Sequence, residues 1–404
     1  MEFVSELVRR IGPAHFVFKA ILVAFLVDAL LLGFILLRRT YRKRYFTRYN
    51  TRASHFQKIW GDLVSGVNTD DRWCRKAFDR DIVKSLALAE LETAKPAEAA
   101  RVHSFLRRSG LLLRTIHEAE KTGGWRQRQA FLALGRMRAP EGVPALAEGL
   151  RDSNIETRLA ALRGLGYTGS PEAGKEILQW LGEGRFLVPA LPIENALINC
   201  CRERPQMLLP YLAVKEAPIR DVLARVLGEV GTKALETDLI QIADDPHPEL
   251  RASAARALGH SKPRIALPVL DKMTEDEVWF VRLRATVALG ELRTSKAIPA
   301  LLRALTDSHR FVRFRSAQAL VEQEEILQPA IFERVVQLGD AYAIDAYITA
   351  SENAGAYETF LEALRQAPNM DTERRELLLA AANHRIGFSG EKRPEDRPAQ
   401  TVAQ

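Results

Sequence analysis

Nucleophiles and metal ligands are sparse in this chain of 404 residues. Its three cysteines, Cys74, Cys200 and Cys201, are too few and too badly spaced for a disulfide framework or a zinc site. Vicinal thiols such as Cys200-Cys201 can act as a redox or metal element, but small buried residues in a reducing compartment are the simpler reading. The eight histidines are scattered, with no H-E-x-x-H spacing among them. His247, between prolines in DDPHPE, reads as a turn residue rather than a ligand. The sequence also lacks G-x-G-x-x-G, a Walker A loop and G-x-S-x-G. No catalytic, metal or cofactor site is therefore readable, and the expectation is a binding protein without enzyme activity or cofactor.

Charged residues recur instead at a fixed interval. Asp152, Asp245, Asp276 and Asp307 stand in one column, and six residues further on stand Arg158, Arg251, Arg282 and Arg313. Arg220 keeps the arginine phase, with Gln127 in the first copy. Eight residues after the arginines comes A-L-G or a close variant, ending at Gly135, Gly166, Gly228, Gly259, Gly290 and Val321, a period of 31 with one register skipped at 197. Pro144, Pro268 and Pro299 hold the same phase. Several columns in one phase are the mark of a stacked solenoid, in which each repeat buries its apolar face only against its neighbours.

Each repeat reads as two helices. Val278–Leu289 has apolar residues at helical spacing, and Gly290 is expected to close it as a C-cap. Ala297–Leu305 forms the second helix, with Pro299 tolerated in its first turn. The second helices are expected to line the concave face. Their polar column, Glu148, Gln179, Gln241, Lys272, Arg303 and Arg334, is then the candidate partner-binding groove, with an ordinary solvated face as the alternative. In the skipped copy Pro189 and Pro192 are expected to disturb the first helix.

An Asp and an Arg six apart, leading into A-L-G and then a proline-bearing second helix, resemble the short HEAT-like repeats first grouped with phycobilisome lyases. The resemblance covers residues 123–335. It implies an all-α, right-handed α-solenoid of about seven to eight two-helix repeats, and it makes the Asp and Arg columns a structural ladder between repeats. It also leaves lyase chemistry as the alternative function, though no chromophore site is readable. Single-span HEAT-like proteins are similar in layout and accompany envelope machinery. That implies a protein partner, such as a membrane glycosyltransferase or a secretion component.

The remaining segments frame the array. Residues 59–122 are a helical N-terminal cap and 336–388 a divergent C-terminal cap, while 389–404, polar and rich in charge and proline, are expected to be disordered. Residues 1–15 form a short amphipathic segment. Residues 16–37, FVFKAILVAFLVDALLLGFILL, make a helix about 33 Å long, enough for a hydrocarbon core of about 30 Å. A dense basic cluster stands where a signal peptide would be cleaved, which argues against one. Asp28 lies near the middle of this span, either as a contact to another transmembrane helix or as a protonated, tolerated residue.

Charge separates the two parts. The net charge is +7, but residues 38–58 alone carry eight Lys or Arg and no acid, and residues 1–37 are neutral. That leaves −1 for residues 59–404, which makes nucleic-acid binding the least supported function. The basic run, interleaved with Tyr41, Tyr45, Phe46 and Tyr49, is expected to lie against lipid headgroups. The positive-inside rule places the solenoid in the cytoplasm, on an inner membrane, with the N-terminus outside. The sequence thus predicts a membrane-tethered scaffold for protein partners, a membrane protein among them, with no small-molecule substrate.

Overall fold

The computed structural model describes residues 13–67, 71–184, 188–213, 217–231, 235–324, 328–367 and 370–383. These residues are helical, with no strand among them, and the chain divides into two compact units, 1–117 and 118–404. The amphipathic segment before Pro13 and the tail from 389 lie outside the described residues.

In the first unit a single helix, α1 (Pro13–Lys58), runs for 46 residues, about 69 Å. It does not break at Arg38. From Ile21 to Leu37 every residue is exposed, Asp28 included, so this helix is long and apolar enough to cross a membrane. Its later turns behave differently. The short α2 (Trp60–Ser65) follows, then α3 (Ala77–Thr93), α4 (Pro96–Arg108) and α5 (Leu111–Lys121), the last crossing the boundary between the units. Phe56 at the end of α1 is buried beside Trp73, which stacks in turn on Phe105.

The basic segment is therefore not simply a lipid-facing run. Tyr45 and Tyr49 meet the ring of Phe78 edge-on, at 5.7 and 6.3 Å between centroids, with the Arg48 guanidinium over that ring at 4.9 Å. Arg52 donates two hydrogen bonds to the buried carboxylate of Asp79, Nε at 3.0 Å and Nη2 at 2.6 Å. A two-point charge-assisted contact of this kind fixes both position and orientation. Half of the expected headgroup segment is a packing element, and the helical cap begins inside α1.

The second unit is a two-layer array. Its first repeat pairs α6 (Gly124–Met137) with α7 (Val143–Gly149), and its second pairs α8 (Ile155–Thr168) with α9 (Pro171–Gly182). In the third, α10 (Ala190–Cys201) is followed by a 3-10 helix, Pro205–Tyr211. Then come α11 (Ala217–Val230) with α12 (Glu236–Ile242), α13 (Pro248–Leu258) with α14 (Pro263–Met273), and α15 (Trp279–Glu291) with α16 (Ile298–Ala304). Two more pairs, α17 (Arg310–Val321) with α18 (Gln328–Gln337) and α19 (Ala341–Asn353) with α20 (Tyr357–Gln366), precede a final helix, α21 (Thr372–Asn383). The first helices pack on one another in series, whereas second helices touch their counterparts only sparingly.

The A-L-G column explains that asymmetry. Each leucine, from Leu134 and Leu165 to Leu289 and Leu320, is fully buried between the layers. Gly290 and Gly135 do not cap their helices. α15 continues through Gly290, and the left-handed turn falls three residues later, at Arg293 with φ 45°, as it does at Arg138 (φ 50°) after α6. What the glycine supplies is close approach: a Cβ on Gly290 would stand 2.8 Å from that of Ala319, and one on Gly135 would lie 2.3 Å from the carbonyl oxygen of Gly164. Small residues let consecutive first helices touch backbone to backbone, a contact the bulkier second helices cannot make.

Two further expectations change. Pro189 is the N-cap of α10 and Pro192 sits in its first turn, where a missing N–H costs little, so the helix forms intact. The irregularity falls on the second element of that copy instead, the 3-10 helix containing Pro210. At the other end, α19 starts 31 residues after α17, and Asp340 accepts hydrogen bonds from the N–H groups of Tyr342 and Ala343 as its N-cap. The repeat geometry thus continues past residue 335, although the Arg and A-L-G signatures have faded.

Candidate functional site

The Asp and Arg columns are tied up inside the scaffold. Arg251 donates from Nε and Nη2 to Asp276 of the next repeat, at 2.7 and 2.9 Å, and from Nη1 to the carbonyls of Asp245 and Pro246. Arg282 repeats the pattern, with Nε and Nη2 on Asp307 at 2.6 and 3.0 Å and Nη1 on the carbonyls of Asp276 and Glu277. Arg158 and Arg313 each donate from Nη1 to the two loop carbonyls of their own repeat. The aspartates accept in the turn as well: Asp152, Asp245, Asp276 and Asp307 each take the N–H two residues on. In the first copy Gln127 substitutes by donating to the Ala119 carbonyl.

Electrostatics follow from this wiring. Burial works against ionisation of Asp276, but the hydrogen bonds from Arg251 and from the Val278 N–H outweigh it and hold the carboxyl below its ordinary value of 3.8. Hydrogen bonding to Asp276 raises Arg251, and to Asp307 raises Arg282, against the opposing effect of burial. The thiols behave oppositely to reactive ones. Cys200 and Cys201 are fully buried, and desolvation pushes both up to about 12. Among the described residues no cluster of His, Cys, Asp and Glu is arranged to hold a metal ion.

The second-helix column is exposed throughout, at Glu148, Gln179, Gln241, Lys272, Arg303 and Arg334. Two of its three basic members are already answered from within. Lys272 Nζ lies 2.7 Å from Asp244, and Arg303 pairs with Asp271 and, at 3.6 Å, with Glu275. Of the six residues, only Glu148 lines a cavity described in this unit, a space of about 320 Å³ beside Gln127 and Phe131.

Two other concavities open on the other layer. A cavity of about 320 Å³ runs across α10, α11, α13 and α15, four consecutive first helices. Its upstream part is laced by ion pairs between neighbours, Arg225 to Glu194 at 2.7 Å and Arg256 to Glu229 at 2.5 Å. Its downstream wall is formed by Trp279, Phe280 and Leu283 with Arg284 beside them. A second cavity of about 410 Å³ lies between α17 and α19, floored by Phe311, Phe314 and Tyr342. Trp279, Phe311, Phe314 and Tyr342 are 37–46% exposed, a cluster of aromatic surface of the kind that marks an interaction site. The Trp279 indole stacks on His309 at 3.9 Å, which links the two cavities.

Sequence reasoning passed over these aromatics, although a signal was present. Phe280, Phe311 and Tyr342 stand 31 residues apart, in phase with the ladder. So do Arg284 and Arg315.

Two layers of paired helices, stacked in register on a shared leucine core, define an α-solenoid. The protein contains HEAT repeats: residues 123–188, 206–289 and 235–321 match the HEAT-repeat family model. No curated protein matches the chain. Among solved structures it is similar to an engineered protein (17% identity, 80% of this chain and 97% of that one, TM-score 0.34). It is also similar to Kap95p bound to RanGDP (14%, 76% and 50%, 0.38) and to the CpcE–CpcF complex of phycocyanin lyase from Nostoc sp. PCC7120 (19%, 54% and 92%, 0.24). At these scores the likenesses carry no argument about function.

Proposed function

We propose that this protein is a membrane-tethered scaffold that holds a protein partner at the membrane surface through the first-helix face of its HEAT array. The observation that carries the reading is the contrast along α1: its turns from Ile21 to Leu37 are covered by nothing among the described residues, while its turns from Tyr45 to Phe56 dock on Phe78, Asp79 and Trp73. A helix apolar on all sides at one end and packed at the other suits a bilayer span rigidly joined to a folded body. The eight Lys and Arg after the span support a cytoplasmic location for that body. The working face is then the one with open cavities and exposed aromatics, rather than the second-helix column, where Lys272 and Arg303 are paired internally. Such a scaffold would serve an envelope assembly, with a membrane enzyme or a secretion component as its client.

The test has two parts. Full-length protein should stay with membranes through alkaline carbonate extraction. A photo-crosslinking residue placed at Arg256 or Trp279 should give a defined protein adduct in membranes, and the same residue at Gln241 or Arg334 should not. Release by carbonate would remove the tether, and adducts confined to the second-helix positions would move the partner to the other layer.

A further inference from the structure

Along the first-helix face the arginines change character. Upstream, Arg225 and Arg256 each reach a glutamate on the preceding helix. Downstream that exchange stops: Arg284 on α15 has no carboxylate partner among the described residues, Arg310 lies only over the Phe311 ring at 4.8 Å, and Arg315 donates only to the amide of Gln318 at 2.8 Å. These three guanidiniums frame the aromatic column of Phe280, Phe311 and Tyr342. The single carboxylate lining the downstream cavity, Asp345, already has an interaction of its own.

We propose that this C-terminal stretch of the face, α15 to α19, is a docking site for an acidic peptide segment of a protein partner, with one apolar side chain of that segment anchored in the cavity between α17 and α19. The proposal rests on the scaffold reading and specifies the chemistry of its client. Arginines without an internal carboxylate partner beside half-exposed aromatics are the side chains that dominate binding energy when a partner covers them. A carboxylate is the planar acceptor that a guanidinium matches with two parallel hydrogen bonds. The apolar cavity floor of Phe311, Phe314 and Tyr342 asks for an aliphatic or aromatic side chain rather than another charge. The chain's own C-terminal tail does not supply this occupant, because residues 384–404 carry four Lys or Arg against three acids.

Spacing sharpens the expected ligand. Neighbouring packed helices stand about 8–10 Å apart. An extended chain advances about 3.3 Å per residue. A strand laid across α15 and α17 therefore meets Arg284 and Arg315 with acidic residues about three positions apart. A flat lipid surface cannot enter a cavity between two helices, and the net charge of −1 for residues 59–404 gives no general attraction for nucleic acid.

The experiment is a selection from a displayed random dodecapeptide library on the full-length protein in nanodiscs of neutral lipid, followed by fluorescence anisotropy with the consensus peptide. The expected consensus is net acidic, with carboxylates about three apart flanking one large apolar residue. Its affinity should fall at least tenfold with Phe311→Ala/Phe314→Ala and, separately, with Arg284→Glu/Arg315→Glu, and only the arginine pair should flatten the salt dependence. Circular dichroism of each variant verifies the helical fold. A neutral or basic consensus, an absence of enrichment, or equal binding by the variants would overturn the proposal. So would tighter binding of an oligouridylate or of anionic vesicles, lost in the same variants, which would reassign the arginines to phosphate. If membrane adducts persist at Arg256 and are untouched by the Phe311/Phe314 variant, this site fails while the scaffold stands. If no membrane adduct forms at all, the scaffold itself fails.

Discussion

Replacing Asp307 by alanine should destabilise the junction between α15 and α17 by about 3–5 kcal/mol, the usual cost of breaking a buried ion pair from one side. The geometry sets that scale. The carboxylate is 8% exposed and the guanidinium of Arg282 14%, so neither recovers full hydration when the other is removed. Asp307 also accepts the His309 N–H at 2.7 Å, which adds the loss of a turn hydrogen bond, about 1 kcal/mol. Arg282→Met removes the same pair and additionally strips the carbonyls of Asp276 and Glu277 of a donor, so its cost should be at least as large. In the double variant no charge is left unpaired. Its cost should fall short of the sum of the single changes by about 2–3 kcal/mol, but it should not return to zero, because the two carbonyls remain without their donor. Because repeats open locally, native-state amide hydrogen exchange in α15 and α17 of the detergent-solubilised full chain is the suitable assay. Single costs below about 1 kcal/mol, or strict additivity, would show that the ladder is a bystander and refute the reasoning.

Other expectations follow from the same wiring. Since Asp276 is held below 3.8 in the fold, its contribution is complete above that value and is lost as pH falls through its lowered folded value; amide protection at α13 and α15, taken relative to the intrinsic exchange rate at each pH, should fall below about pH 4 in the wild type, and Asp276→Asn should abolish this step. Gly290→Leu forces a side chain into the Ala319 contact on α17 and should cost about 3 kcal/mol or more, read as lost exchange protection in α15 and α17, whereas Gly339→Ala, with open space around it, should cost less despite its φ of 66°. A thiol reagent at neutral pH should leave Cys200 and Cys201 unmodified until denaturant is added, and label half-buried Cys74 first; early labelling of the pair would contradict their burial.

Much of the architecture was legible because a repeat buries its core against copies of itself, so that each structural demand recurs every 31 residues. The leucines between the layers, the Asp turn and the Arg that spans to the next turn are local demands, and they printed themselves as columns. The long apolar helix was legible too, since an apolar run needs no partner to declare itself. The reach of α1 into the first unit was not, since the docking of Tyr45, Tyr49 and Arg52 depends on Phe78 and Asp79, brought alongside by the fold.

The face proposed here for the partner lay beyond sequence reasoning. Both helices of a repeat are amphipathic, and each shows polar residues at helical spacing, so periodicity cannot say which layer is open. That was decided by packing: glycines at 135 and 290 draw the first helices together, and the charges of Lys272 and Arg303 are taken up by acids one repeat away. The aromatic column was present as spacing, but its meaning required exposure, which is a property of neighbours. Sequence alone determined that this chain is a HEAT-type solenoid behind an apolar helix, because those features repeat or stand alone. Tertiary structure decided where Trp279, Phe311, Phe314 and Tyr342 converge, because they come from three helices that only stacking makes adjacent.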